Sequence, residues 1–211
     1  MLYLIDDANI SHIEDALSLG ACGITANTSM YKKEEISIQD FIQKVQHYEV
    51  PFLSAEVIGT YEEMLAQAQA FLAKNPNIVI KINFSKDGLR LTNTLSKQGV
   101  STALTLVFNM SQALAAINAG CDYIFFFIGR NEEIGVDALS IIADIQDLIV
   151  AKGYKTKLVG ASIKHLHHLE QLANLHIDYA AIPYDLYMKS LAHPLTESGT
   201  ETFIKDFQAY K

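Results

Sequence analysis

Ile78-Val79-Ile80-Lys81-Ile82 is a short, largely β-branched run interrupted by a single amine. Its apolar residues are continuous rather than alternating, the pattern of a strand covered on both faces in a parallel sheet. Seven more runs share that character: Leu2 to Ile5, Cys22 to Thr25, Phe52 to Val57, Thr102 to Val107, Tyr123 to Ile128, Lys157 to Ala161 and Tyr179 to Ile182. Between them lie amphipathic segments with helix punctuation. Ser37 precedes Ile38, Thr60 and Glu63 form a capping box, and stops fall at Asn75-Pro76, Gly99, Gly120 and Gly153. Strand and helix alternate strictly. Eight such units in 211 residues favour a closed (β/α)8 TIM barrel over an open doubly wound sheet. No Gly-rich phosphate loop follows an early strand, which weakens the open-sheet alternative. Ser198 with Glu201 reads as the cap of one more helix running to about Tyr210. The expectation is therefore one domain over residues 1–211, with residues 196–211 as a C-terminal helical extension.

Composition narrows the partners. Half the residues are hydrophobic, with 11 Gly and 4 Pro, which is ordinary globular usage. The formal net charge of -8 is spread along the chain and no basic cluster could track a nucleic-acid backbone. Nucleic acid is not an expected partner, whereas small anions remain possible through a few local cations. Cys22 and Cys121 sit among apolar residues without metal-type spacing, the mark of buried thiols in a reducing compartment. Met1-Leu2-Tyr3-Leu4-Ile5 meets Asp6-Asp7 too soon for a signal peptide, and no apolar run approaches the ~20 residues of a membrane span. A cytoplasmic protein with no membrane partner is expected.

In a TIM barrel the chemistry sits at the carboxyl ends of the strands. Those positions are polar here: Asp6, then Thr25 and Asn27, Glu56, Lys81, Thr105 and Ser162, while the sixth run ends in Phe125-Phe126-Phe127 followed by Arg130. Lys81 is the sharpest signal. A charged amine inside an apolar strand loses its hydration, so it must be paired with an acid or give up its proton. A neutral amine attacks ketones and aldehydes to form iminium ions, so burial and reactivity go together. An ion pair with Glu56 or Asp6 explains the same residue without catalysis. Asp6 and Glu56 are helix caps or counter-ions on one reading and proton-transfer groups on the other. Arg130 and Ser162 stand where late loops of such barrels hold phosphate, unless Arg130 pairs with Glu132 or Glu133. His165, His167 and His168 are expected to spread around the seventh helix and, lacking a carboxylate or Cys at ligand spacing, to bind no metal. The three phenylalanines alternate sides, one of them facing the mouth.

The order Asp6, Gly23-Ile24-Thr25-Ala26-Asn27, Glu56, Ile80-Lys81-Ile82, Thr105, Arg130 and Ala161-Ser162-Ile163-Lys164 resembles the transaldolase family, and the length is similar to its small fructose-6-phosphate aldolase branch. The likeness covers essentially the whole chain. It implies a cofactor-free enzyme of carbohydrate metabolism, in the pentose phosphate pathway, whose substrate is a sugar phosphate. Lys81 would form a Schiff base with a ketose, Asp6 would assist removal of the hydroxyl proton in cleavage, and Glu56 would act through a water also held by Thr105. Asn27, with Thr25 and Phe127 beside it, would contact the substrate, and Arg130 with Ser162 would grip its phosphate. The C-terminal helix would serve a ring-shaped homo-oligomer.

Two positions bear on the choice within the family. Its aldolase branch typically carries Gln at the Glu56 position and Tyr at the Phe127 position, and this chain has the pair found in transaldolases proper. The expectation is transfer of a dihydroxyacetone unit between sugar phosphates. An aldolase releasing free dihydroxyacetone and a non-catalytic sugar-phosphate-binding barrel are the alternatives. Thr28 and Asn83 stand where the family usually has proline, and these exchanges are expected to loosen two loops beside the site.

Overall fold

The computed structural model describes residues 1–210; Lys211, the end of the expected extension, lies outside them. β1 (Leu2–Asp6) leads to α1 (Ile10–Ser18), and β2 (Gly23–Thr25) to α2 (Thr28–Lys33) and α3 (Ile38–Val45). β3 (Phe52–Val57) precedes α4 (Tyr61–Lys74), β4 (Val79–Asn83) precedes α5 (Lys86–Ser96), and β5 (Thr102–Val107) precedes α6 (Met110–Asn118). β6 (Tyr123–Phe127) is followed by α7 (Gly129–Glu132) and α8 (Ala138–Lys152), β7 (Lys157–Ala161) by α9 (Leu166–Asn174), and β8 (Tyr179–Ile182) by α10 (Tyr184–Leu191) and α11 (Pro194–Ala209). The strands close in sequence order into one parallel barrel, β8 pairing with β1. This is the (β/α)8 architecture.

The continuous apolar runs now divide by side. Leu4, Phe52, Val79, Ala103, Phe125, Val159, Ala161 and Ala181 fill the barrel, while Ile5, Ile24, Ile80, Ile82, Leu104, Phe126 and Leu158 pack outward against the helices. Each strand is thus apolar on both faces for two different reasons, and its inward set carries any polar side chain into the lumen. The period of two puts Phe125 inside and Phe126 outside, and Phe127 lines the cavity at the mouth. Ser37 and Thr60 cap α3 and α4, the latter with the reciprocal Glu63 bond of a capping box. α8 ends at Gly153 with φ of 63°, where a Cβ is disfavoured.

Three expectations are corrected. The strict alternation is broken after β2, β6 and β8, where two helices follow one strand. The last helix starts at Pro194 rather than near Ser198: His193 accepts from the Leu195 amide, and proline's fixed φ suits the first helical position. Ser198 sits inside that helix and bonds back to the Leu195 carbonyl. Cys121 is buried as expected, but Cys22 is only partly so. No helix among the described residues is long and apolar enough to cross a membrane.

Candidate functional site

The carboxyl ends of the strands open onto a cavity of about 310 Å³. Asp6, Glu56, Lys81 and Thr105 line one side of it, and Phe127, Arg130 and Ser162 the other; Asn27 lines it as well. Strand register explains the first group. Glu56 is directly opposite Lys81 across the β3–β4 pair, and Asn83 is opposite Thr105 across β4–β5. Partners in a parallel pair face the same side, so one glutamate, one lysine and one threonine enter the lumen together.

Lys81 is 4% exposed and forms no ion pair with either carboxylate. Its Nζ donates to Thr25 Oγ1 at 3.0 Å and to the Ala26 carbonyl at 2.9 Å, and lies 4.9 Å above the Phe125 ring. Two fixed acceptors aim the amine, which a flexible four-carbon stem cannot do alone. Thr25 is fully buried beneath the cavity and does not line it; its hydroxyl also accepts from Ser54 Oγ at 3.0 Å. Of the residues expected to contact substrate, Thr25 is the one the structure places against the amine rather than along the cavity wall. Ser54 was not singled out in the sequence, although its place two residues before Glu56 on an inward-facing period marks it.

The two carboxyls differ. Asp6 Oδ1 is shielded from solvent and accepts no hydrogen bond among the described residues. Burial pushes its pKa up to about 6 against the opposing pull of Lys81. Glu56 is 3% exposed and burial raises its pKa too, but Lys81 and the Thr28 amide, which donates to Oε2 at 2.9 Å, hold it down. The exchange at Thr28 therefore does more than loosen a loop: a proline there has no N–H to give. Asn83, the other exchanged position, lines the cavity two residues beyond Lys81 on the same face. Asn27 caps α2 through its side-chain oxygen, accepting from Ser29 and Met30, and its Nδ2 gives one hydrogen to Met30 Sδ at 3.3 Å, which leaves the second N–H to offer.

The opposite rim is built from the end of β6, the short helix α7 and the turn after β7. Arg130 is exposed and its guanidinium lies 5.2 Å from the Phe127 ring centroid, and the alternative ion pair to Glu132 or Glu133 is not formed among the described residues. Lys164, which lies outside the set of residues the sequence points to, also lines the cavity and pairs with Glu133 at 3.2 Å. Leu106 and Ser162 line it with φ of 61° and 56°, values that non-glycine residues seldom adopt. Leu106 falls at the irregularity in the β5–β6 ladder. The histidines divide: His167 faces solvent beside Glu170, as expected of a spread around α9, while His165 at the N-cap and His168 come together. His165 and His168 rings lie 3.7 Å apart, and Glu132 from α7 supplies the carboxylate that spacing along the chain did not reveal, with all three ligand atoms within 4.8 Å.

A profile of the transaldolase/fructose-6-phosphate aldolase family matches residues 3–211. The chain belongs to that family. Proteins described as probable transaldolases from Streptococcus equi subsp. zooepidemicus and Moorella thermoacetica are each 38% identical over 213 aligned positions, covering all of this chain and 100% and 99% of their own lengths. One from Desulfitobacterium hafniense is 37% identical over the full length of both chains. The transaldolase/fructose-6-phosphate aldolase assignment agrees with the resemblance carried by the strand-end residues and with the barrel that holds them.

Proposed function

We propose that the protein is a transaldolase that moves a dihydroxyacetone unit between sugar phosphates through a Schiff base on Lys81. The observation that carries this reading is a buried amine, the one such among the described residues, held by two hydrogen bonds and unpaired with any acid among them, in one cavity with Asp6, Glu56 and Thr105. The amine attacks the ketose carbonyl and expels water to give an iminium ion. The Asp6 carboxylate then takes the hydroxyl proton as the carbon–carbon bond breaks, its electrons moving into the iminium to form an enamine, and an aldose phosphate departs. The enamine attacks the carbonyl of a second aldose phosphate, Asp6 returns the proton, and water releases the product. Glu56 supplies and removes protons at the amine through a water also held by Thr105. An acid with its pKa near 6 suits a group that must accept and return one proton per cycle.

Transfer is favoured over simple cleavage by Glu56, whose carboxyl shuttles protons that an amide cannot, and by Phe127, which offers no hydroxyl to position water. Asn27 Nδ2 contacts the bound ketose, and Arg130, Ser162 and Lys164 take its phosphate; no cofactor enters. The names of the relatives support the same reaction. The enzyme acts in the cytoplasm within the pentose phosphate pathway. Leu195, Phe203 and Ile204 are 75%, 76% and 52% exposed on α11, which has no buried residue, and so much uncovered apolar surface on one helix supports a ring-shaped homo-oligomer. Product analysis with fructose 6-phosphate, with and without an aldose phosphate acceptor, tests the assignment. Turnover that requires the acceptor supports transfer; stoichiometric free dihydroxyacetone in its absence makes the protein an aldolase, and no turnover in either case leaves a binding barrel.

A further inference from the structure

His168 is 1% exposed, hydrogen-bonded through both ring nitrogens, and outside the chemistry above. The Lys164 backbone N–H lies 3.2 Å from Nδ1, and a backbone amide can only donate, so Nδ1 accepts. In the neutral ring the proton then sits on Nε2, which donates to Glu132 Oε2 at 2.8 Å. Burial lowers the His168 pKa, Glu132 opposing, which favours that neutral form. The tautomer also bears on the cluster with His165. A metal ion at Nε2 would displace the proton, and the only other nitrogen already faces an N–H. The ring is built to join two chain segments rather than to ligate.

Those segments carry the cations at the rim. α7 holds Arg130 and Glu132; the turn after β7 holds Ser162 and Lys164. They meet closely: the Gly129 amide donates to the Ser162 carbonyl at 3.0 Å, and a Cβ on Gly129 would lie 2.5 Å from that oxygen and from Lys164 Cγ. Asn131 fixes the far side of α7 by donating to the Phe108 carbonyl at 2.9 Å. We infer that His168 is a positioning residue that locks α7 to the β7–α9 turn, so that Arg130, Ser162 and Lys164 converge on one phosphate. This inference rests on the phosphate reading of that rim. A four-residue helix and a turn with a left-handed serine have little local stability of their own, so one buried imidazole bridging both sets their spacing.

The test compares kcat and KM for fructose 6-phosphate and for fructose in the full-length protein and its variants. The wild type is expected to prefer the phosphorylated sugar, with Arg130→Ala setting the scale of what the phosphate contributes. His168→Ala should lose about tenfold of that preference, the loss residing in KM for the phosphate ester, with borohydride trapping at Lys81 retained. His168→Asn, whose Oδ1 can accept from the Lys164 N–H, should recover part of it. If the His168→Ala core repacks poorly, Glu132→Ala removes the other end of the bridge at an exposed position and should shift the preference the same way. A preference unchanged in both His168→Ala and Glu132→Ala, or a loss shared equally by fructose and by kcat, overturns the inference while leaving the phosphate site standing. A wild type indifferent to the phosphate overturns both.

Discussion

The two sides of the cavity are built differently. The amine side consists of strand residues, Asp6, Glu56, Lys81 and Thr105, whose directions follow from sheet register, with Glu56 opposite Lys81. The rim side consists of the end of β6, the short helix α7 and the turn after β7, with Arg130 exposed and Ser162 at positive φ. Side chains on paired strands are placed by backbone hydrogen bonding and a filled core, so the amine side is rigid before substrate arrives. The rim depends on contacts among loops. The first arrangement fits bond-making chemistry, which tolerates little misplacement; the second fits recognition of a doubly charged, solvent-facing group.

Breaking the amine side should therefore damage catalysis rather than binding. Asp6→Asn should lower kcat by about 10²- to 10⁴-fold with a smaller change in KM, measured by steady-state turnover of fructose 6-phosphate with an aldose phosphate acceptor present. Thr28→Pro asks whether one backbone N–H matters. It removes the donor to Glu56 Oε2 while respecting the first helical position, so the Glu56 pKa should climb further and the acid limb of the pH–rate profile should move to higher pH, with roughly a tenfold loss at neutral pH. Thr28→Ala, which keeps the N–H, should behave as wild type.

On the rim, Arg130→Ala should raise KM for a ketose phosphate about tenfold and leave kcat nearly unchanged, since an exposed guanidinium contributes modestly. The contrast between the two sides fails if Arg130→Ala costs more in kcat than Asp6→Asn does.

The smallest effect expected is on stability. Burial holds the Asp6 carboxyl at about 6 against its ordinary 3.8, so the folded state binds the proton more tightly than the unfolded chain. Lowering the pH therefore gains stability from this group; the cost of its charge is full above pH 6 and gone below about 4. Asp6→Asn should raise the melting temperature at pH 7 by an amount matching ~1–3 kcal/mol and do little at pH 4. In the wild type, kcat/KM should fall as pH drops below about 6, because only the carboxylate accepts the hydroxyl proton.

How much the sequence reveals follows the same division. Closure into a barrel was legible because eight apolar runs covered on both faces leave few alternatives, and the strand-end polar residues were legible because the period of two fixes their side. Ser54 lies two residues short of the polar end of β3, so only the period of two, and not its place in the run, marks it as inward. The bridge from His168 to Glu132 spans 36 residues and three loops, so no local pattern encodes it. The bond from the Thr28 amide to Glu56 belongs to backbone rather than side chain, and the positive φ of Leu106 arises where the β5–β6 ladder shifts register. Local propensity governs none of these; tertiary contact does.

The central claim is that Lys81 captures a carbonyl, and mass spectrometry after borohydride reduction in the presence of fructose 6-phosphate addresses it directly. The account predicts one stable ketose-derived adduct, mapped to the peptide containing Lys81 and absent from Lys81→Ala. An adduct that persists in Lys81→Ala, or the lack of any adduct in a wild-type protein that turns the sugar over, would contradict it.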